Sequence, residues 1–369
     1  MKYYIIAGEP SGDLHGANMM RAIRSQDPDA EFRYWGGDHM SAVSDGIVTH
    51  IRETSIMGFT EVIQNISKIK GFFKLAKKSI LDFQPHKIIY IDYPGFNLRM
   101  AEWSKKQGFY NVFYISPQLW AWKKGRVKKV KKYIDDMICI LPFEKQFYAD
   151  QGVDVHYVGH PLVHVIQDFD PEIDFKSKNN LVDKQILAIL PGSRKQEISK
   201  MLPVYISAAL KLKDKFHIVI AAAPNLDASF YTALLHEGAS HVSILEDNTY
   251  NLLFIADLAI VTSGTATLET ALFKVPQVIC YKTSTINYAI GKRLVDLKYI
   301  SLVNLILDQG LITELIQDEA NLNQISDALT DTISKKDRIL NGYDTLIEKL
   351  SNDTVSASQE VARIVTRIK

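Results

Sequence analysis

The residues with chemistry to offer sit where apolar runs end. Glu9 and Asp13 lie in "AGEPSGDLHG" (7–16), directly after the run "YYII". A glycine-rich loop that follows a strand and opens a helix ordinarily holds a phosphate. This one lacks the G-x-G-x-x-G lettering and the G-K-[ST] ending, and its two carboxylates would repel a phosphate. Asp92 ends the run "IIYID" and precedes a turn at Pro94-Gly95. An acid at a strand tip, partly buried, gains the raised pKa that suits a general base. An Asx-turn aspartate capping its own backbone fits the same residues.

Two stretches of the second half suit an anionic ligand. "ADLAIVTSGTATLE" reads as a buried strand, a small-residue turn at Ser263, Gly264 and Thr265, and a helix that starts at once. Such a helix start offers unpaired N–H groups and a partial charge of about +0.5, so a diphosphate would sit well there. Glu269 lies one turn further on, where a carboxylate can accept both hydroxyls of a ribose; the alternative is a capped N-terminus with a first-turn acid. "LPGSRKQEI" places Ser193 and Arg194 at a second strand-loop-helix joint. A guanidinium there can hold a phosphate bidentately, or simply form a surface pair.

These residues need a scaffold of strands and helices. Short apolar runs alternate with amphipathic stretches throughout: "YYIIAG", a helix from Leu14, "EFRYWGG", a helix around 59–80, "HKIIYID", a helix over 98–107, "NVFYIS", and onward. Near-continuous apolar strands alternating with helices predict α/β architecture with parallel sheets covered on both faces. Residues 168–183 are polar, contain Pro171 and lack periodicity, so they read as a linker. The pattern then restarts at "QILAILPGSR". The expected organisation is a domain over 1–167, a linker over 168–183, a domain over 184–345 and a helical tail over 346–369. Two doubly wound domains predict a central cleft with ligands at the carboxyl ends of the strands.

Bulk properties bound the class. The chain has 369 residues, 47% hydrophobic and 23% charged, with a net charge of +1. That is normal for a globular enzyme of two domains and argues neither for nor against nucleic acid. Cys139 and Cys280 sit inside apolar runs and suggest no disulfide scaffold. No metal or cofactor is expected: the two D-x-D triplets lie in polar connections and the ten histidines show no ligand spacing. No run approaches the ~20 apolar residues of a membrane span.

Two surfaces remain. Lys123, Lys124, Arg126, Lys128, Lys129, Lys131 and Lys132 crowd into ten positions after "PQLWAW". Nucleic acid, an anionic membrane and a solvated helix face all fit this run. Residues 56–80 carry an apolar stripe that includes Phe59, Val62, Ile63 and Phe73, flanked by lysines. It reads either as a membrane-facing helix or as a helix packed on the sheet.

Taken in order, "AGEPSGDLHG", "SIMGFTEV", "IDYPGFN", "SPQLWAWKKGRV", "LPFEKQFY", "VGHP", "LPGSRKQEI", "TSGTATLE" and "YISLVNLILD" resemble the lipid-A-disaccharide synthase family, over about residues 3–310. The resemblance implies a GT-B-type fold of two Rossmann-like domains. It implies transfer of a diacylglucosamine from UDP-2,3-diacylglucosamine to 2,3-diacylglucosamine 1-phosphate, giving a β-1,6-linked disaccharide and UDP. The enzyme would be cytoplasmic and peripheral, on the cytosolic face of the anionic inner membrane of a Gram-negative bacterium, with no nucleic-acid partner. By the same resemblance Asp92, Glu9, Arg194 and Asn304 are the catalytic positions. Ser11, Gly12, Asp13, Ser193, Ser263, Gly264, Thr265 and Glu269 would contact substrate, with the N-terminal loop facing the acceptor. There the carboxylates suit sugar hydroxyls, and glycines 8, 12 and 16 would let sugar approach the backbone. Many relatives carry a second aspartate, D-A-P-D-F-N, where this chain has Gly95; Asp92 is therefore the expected base. For the tail the resemblance leaves open packing back on its own chain and exchange within a homodimer.

Overall fold

The computed structural model describes the chain apart from residues 55–65, 122–123, 182–183, 224–225, 236–238, 285–287, 289–296, 352–354 and 368–369. It divides into two compact units: Met1–Pro161 with Leu350–Lys369, and Leu162–Lys349.

The first unit is built on a seven-stranded sheet in the order β3-β2-β1-β4-β5-β6-β7. Its strands are β1 (Lys2–Ala7), β2 (Glu31–Gly36), β3 (Ile47–His50), β4 (Lys87–Ile91), β5 (Tyr110–Tyr114), β6 (Asp136–Cys139) and β7 (His156–Tyr157), and all pairs are parallel. The runs "YYIIA" and "KIIYI" are buried throughout. Burial on both faces is why they read as continuous rather than alternating apolar segments. The order reverses between β1 and β4, whose last residues Ala7 and Ile91 are paired. That reversal opens a crevice at the carboxyl ends.

Six helices of this unit matter for the site: α1 (Pro10–Gln26), α2 (Asp38–Ser41), α3 (Ile66–Phe83), α4 (Pro94–Lys106), α5 (Val127–Tyr133) and α6 (Pro142–Ala149). Prolines at the starts of α1, α4 and α6 fix φ for the first turn, where no N–H partner is needed. This explains why α4 begins at Pro94, ahead of the expected 98. On α3 the residues Ala76, Ile80 and Phe83 are buried and Phe72 and Phe73 half-buried, a single face at helical spacing.

The second unit repeats the topology with a six-stranded parallel sheet in the order β10-β9-β8-β11-β12-β13. These are β8 (Gln185–Leu190), β9 (Phe216–Ala222), β10 (Val242–Glu246), β11 (Leu258–Thr262), β12 (Gln277–Tyr281) and β13 (Thr313–Ile316). Alternate residues of β8 feed opposite cores: Leu187 and Ile189 join one cluster, Ile186, Ala188 and Leu190 the other. Here the reversal falls between β8 and β11. Helices α7 (Lys195–Ala209), α8 (Thr249–Ile255), α9 (Ala266–Leu272) and α10 (Leu302–Leu307) flank it in sequence.

Two boundaries differ from expectation. The units divide at Pro161–Leu162, and the polar stretch 168–183 belongs to the second unit rather than linking the two. Its isolated apolar residues explain this, since Phe175 and Leu181 are fully buried. The tail joins the first unit, where α11 (Ala357–Val365) packs on α1. Gln26 Nε2 donates to the Gln359 carbonyl at 3.3 Å, and Lys87 Nζ to the Arg367 carbonyl at 2.8 Å.

Candidate active site

The switch point of the first sheet gathers two acids. Asp92 follows β4 directly and Glu9 follows β1 by two residues. Asp92 and Tyr93 both lie in the left-handed region, at φ 44° and 48°. A bulky residue there costs on the order of 1–3 kcal/mol and persists only where the surroundings enforce it. Asn97 is the enforcer. Its Nδ2 donates to the carbonyls of Asp92 (2.7 Å), Ile6 (3.3 Å) and Ile91 (3.3 Å), stitching both strand ends to the first turn of α4. The Asp92 amide donates to the Tyr114 carbonyl at 3.0 Å. The Asp92 backbone is thus held in place at the strand end, and the pKa of its carboxyl is pushed up to about 7. Burial is the main cause, the Glu9 charge adds to it, and the Tyr93 amide partly offsets both. A carboxyl that titrates near neutrality is matched to proton transfer at physiological pH.

The glycines and second acid of the opening loop have other work. A Cβ on Gly8 would fall 2.5 Å from the Tyr93 ring, on Gly12 3.3 Å from the Ala7 side chain, and on Gly16 2.7 Å from Met40 Sδ. They admit the tyrosine and bring α1 against the sheet, so the expected sugar approach at Gly8, Gly12 and Gly16 is replaced by packing. Asp13 is 2% exposed and accepts from three backbone amides, Gly37 (2.6 Å), His39 (3.0 Å) and Met40 (3.0 Å). It holds the start of α2 and has no face toward a ligand. Ser11 is exposed and Glu9 half-buried.

The second switch point is chemically different. Gly264 and Thr265 are exposed, Ser263 is half-buried, and a Cβ on Gly264 would meet nothing nearer than the Thr262 carbonyl oxygen at 4.0 Å. The turn is open to an approaching group. The Ser263 amide donates to the Cys280 carbonyl at 2.9 Å, anchoring the turn to β12. Ser193 and Arg194 are exposed in the loop after β8, and Arg194 Nη1 donates to Glu197 Oε1 at 2.9 Å. Gly192, at φ 93°, faces Thr262, since a Cβ there would lie 3.4 Å from that side chain. The arginine loop and the small-residue turn are therefore neighbours. Glu269 lies one turn into α9 and accepts from Tyr250 Oη at 2.9 Å; burial raises its pKa and the tyrosine opposes the rise.

Comparison with known proteins decides the family. A model of the lipid-A-disaccharide synthetase family matches residues 3–365. The lipid-A-disaccharide synthase of Coxiella burnetii (strain CbuK_Q154) is 33% identical, covering 98% of this chain and 96% of its own. That of Trichlorobacter lovleyi is 37% identical, covering 87% and 85%. The chain belongs to the lipid-A-disaccharide synthetase family. It is a glycosyltransferase of lipid A biosynthesis, as the motif order implied.

Solved structures agree on the fold. The glycosyltransferase of kitacinnamycin superposes with TM-score 0.66 at 12% identity, covering 99% of this chain and 98% of that one. The UDP-GlcNAc 2-epimerase of Methanocaldococcus jannaschii, in complex with UDP-GlcNAc and UDP, gives 0.65 at 13% identity over 99% of both chains. At such identities the likeness speaks for fold alone, the two-Rossmann GT-B type, and does not make this chain an epimerase.

The other expected site residues are Asn304 and the apolar positions of 56–80. Asn304 is 1% exposed and its amide is fully engaged. Its Nδ2 donates to the Ile312 carbonyl (2.9 Å) and Glu314 Oε1 (2.8 Å), and its Oδ1 accepts from the amides of Leu311 (2.9 Å) and Ile312 (3.1 Å). It ties α10 to β13. Phe59, Val62 and Ile63 fall outside the described residues. Phe73 stacks on Phe96 at 4.3 Å, because helical spacing turns it toward the sheet with Phe72; among the described side chains of α3 the exposed large apolar ones are Leu75 and Leu81. Among the described residues no helix is long and apolar enough to cross a membrane.

Sequence reasoning missed three contributors. Asn97 had a local signal, a polar residue one turn after a strand-tip acid. Glu144 had one too, in the first turn of α6. It is 1% exposed, accepts from the amides of Ile140 (3.3 Å) and Leu141 (3.0 Å), and takes the Trp120 indole N–H at 3.3 Å. It thereby ties the "SPQLWAW" loop to the end of β6. Tyr250 had none, since only the fold brings it to Glu269.

Proposed function

We propose that this glycosyltransferase transfers 2,3-diacylglucosamine from UDP-2,3-diacylglucosamine to the 6-hydroxyl of 2,3-diacylglucosamine 1-phosphate with inversion, using Asp92 as the base. The carrying observation is Asp92 itself: a carboxyl fixed in a strained turn at the first switch point, poised near neutrality by burial and Glu9. In this reading Asp92 takes the acceptor O6 proton as O6 attacks C1 of the donor sugar. The bond from C1 to the diphosphate oxygen breaks, and its electron pair leaves with UDP. The departing diphosphate needs charge neutralisation rather than a proton. Arg194 and the amides at the start of α9 would supply it, without a metal. Glu9 would position a sugar hydroxyl and Glu269 the ribose. Gly95 opens onto free space, so the second acid of the D-A-P-D-F-N pattern is not sterically excluded here, and this reading leaves Asp92 as the base.

Both proposed substrates carry acyl chains, and the surface of the first unit suits an anionic leaflet. Lys68, Lys70, Lys74 and Lys78 are exposed on α3 beside Leu75 and Leu81, and Lys128, Lys131 and Lys132 are exposed on α5. Cations around apolar side chains are the composition of an interfacial face. The deciding experiment is a transfer assay with the two acylated substrates, with and without EDTA. Disaccharide and UDP in equal amounts, unaffected by EDTA, are expected. Absence of disaccharide would refute the reaction, and its loss in EDTA the metal-free mechanism.

A further inference from the structure

Glu269 does not stand alone. Among the described residues, Tyr250 is the one side chain that bonds to its carboxylate, donating from Oη to Oε1 at 2.9 Å. The tyrosine comes from α8, a different βα unit, and its ring is fixed by two others. Phe273 packs against it at 5.2 Å between centroids and 63°, and Phe169 at 5.5 Å and 88°. The two phenylalanines also meet each other, at 5.8 Å and 85°. Phe273 sits one helical turn after Glu269, while Phe169 arrives from the polar segment that precedes β8. A tyrosine has two side-chain torsions, and edge-to-face contacts on two sides leave its hydroxyl one place to point. A carboxylate has about four lone-pair sites, so one bond from Tyr250 sets its plane and leaves enough acceptors for a vicinal diol.

We propose that Tyr250 is a specificity-determining positioning residue, which orients the Glu269 carboxylate to accept the 2′- and 3′-hydroxyls of a bound uridine nucleotide. The inference rests on the assignment of Glu269 to the nucleotide site. Tyr250 touches no substrate; it makes the carboxylate a pre-set acceptor, so the energy of ordering is not drawn from ligand binding. The aromatic trio is the support for that setting, and through Phe169 it adds to buried Phe175 and Leu181 in holding this polar segment in the second unit.

The test uses the full chain, calorimetric titration, and two probes, UDP and 2′,3′-dideoxy-UDP, which lacks both hydroxyls. The wild type is expected to prefer UDP. Glu269→Ala is expected to remove the preference. Tyr250→Phe keeps the ring contacts and is expected to cut the preference about three- to tenfold, with 2′,3′-dideoxy-UDP affinity unchanged. A Tyr250→Phe variant with the full preference overturns the inference, and so does one that binds both probes equally more weakly, which marks a packing role. If Glu269→Ala itself keeps the preference, the assignment of Glu269 fails, and the inference fails with it.

Discussion

The two sheets share one topology and carry opposite chemistry at the same place. Each reverses its strand order once, between β1 and β4 in the first unit and between β8 and β11 in the second. At the first reversal the glycines are spent on packing, the backbone is strained, and what remains for a ligand is a pair of acids. At the second the glycine is open, the turn is exposed, and an arginine lies on the neighbouring loop. An acid pair attracts hydroxyls and protons; an open turn with a guanidinium attracts phosphate. The reversal supplies the crevice, and a few side chains at its rim decide what enters.

The sharpest way to break this contrast is to neutralise the acid that defines the first site. Asp92→Asn keeps size and tolerates the left-handed backbone. It should lower turnover by about 10²–10⁴ if Asp92 is the base. Stability supplies a control with a definite sign. The folded pKa is raised from 3.8 to about 7, so the folded protein holds this proton after the unfolded chain has released it. Stability therefore falls as pH rises through that window, and above it the buried charge is a standing cost. Asp92→Asn should melt higher than wild type at pH 8, by an amount on the order of a few kcal/mol, and should gain nothing below about pH 4. A variant that is both stabilised and inactive marks a functional acid. One that is stabilised and active shifts the base elsewhere.

The next largest effect separates the two carboxylates of the opening loop. Asp13→Asn replaces one acceptor oxygen with a donor that faces backbone N–H groups, so a buried amide loses its partner. A cost of about 1–3 kcal/mol in denaturant unfolding is expected, with kcat close to wild type for the folded fraction. Full stability with lost turnover would restore Asp13 to the substrate and undo the claim that this loop offers a single carboxylate.

Much of this was legible in the sequence because it is local. The strands announce themselves as "YYIIA", "KIIYI" and "QILAIL", since burial on both faces needs unbroken apolar runs. The strand-tip positions of Asp92, Arg194 and the Ser263–Thr265 turn follow from those strands. What was hidden depends on partners distant in sequence. Glu9 and Asp13 look alike in the loop, and only α2, more than twenty residues on, claims Asp13. Asn304 lies in a recognisable motif, but its amide is occupied by Ile312 and Glu314, which no spacing rule connects to it. Segment 168–183 is polar on average, and three apolar residues, Phe169, Phe175 and Leu181, outweigh the average because each finds a buried or aromatic contact. Pro94 has the look of a turn residue in the sequence yet is the first residue of α4, so the helix starts ahead of the expected 98.

The smallest effect tests the coupling inside the acid pair. Glu9 raises the proton affinity of Asp92 by repulsion, so Glu9→Gln should let Asp92 ionise at lower pH. A base acts in its ionised form, and kcat/KM for the wild type should rise with pH through a midpoint near 7. In Glu9→Gln that rise should move toward acid by up to about one unit. If Glu9 also touches a sugar hydroxyl, the variant is slower at every pH, but the ratio of variant to wild-type rate still climbs as pH falls from 8 to 6. Contact alone gives a ratio independent of pH. A flat ratio would mean that the two acids do not sense each other, and that Asp92 owes its poise to burial alone. The comparison would then shift from a cooperating acid pair against a phosphate turn to a single buried acid against the same turn.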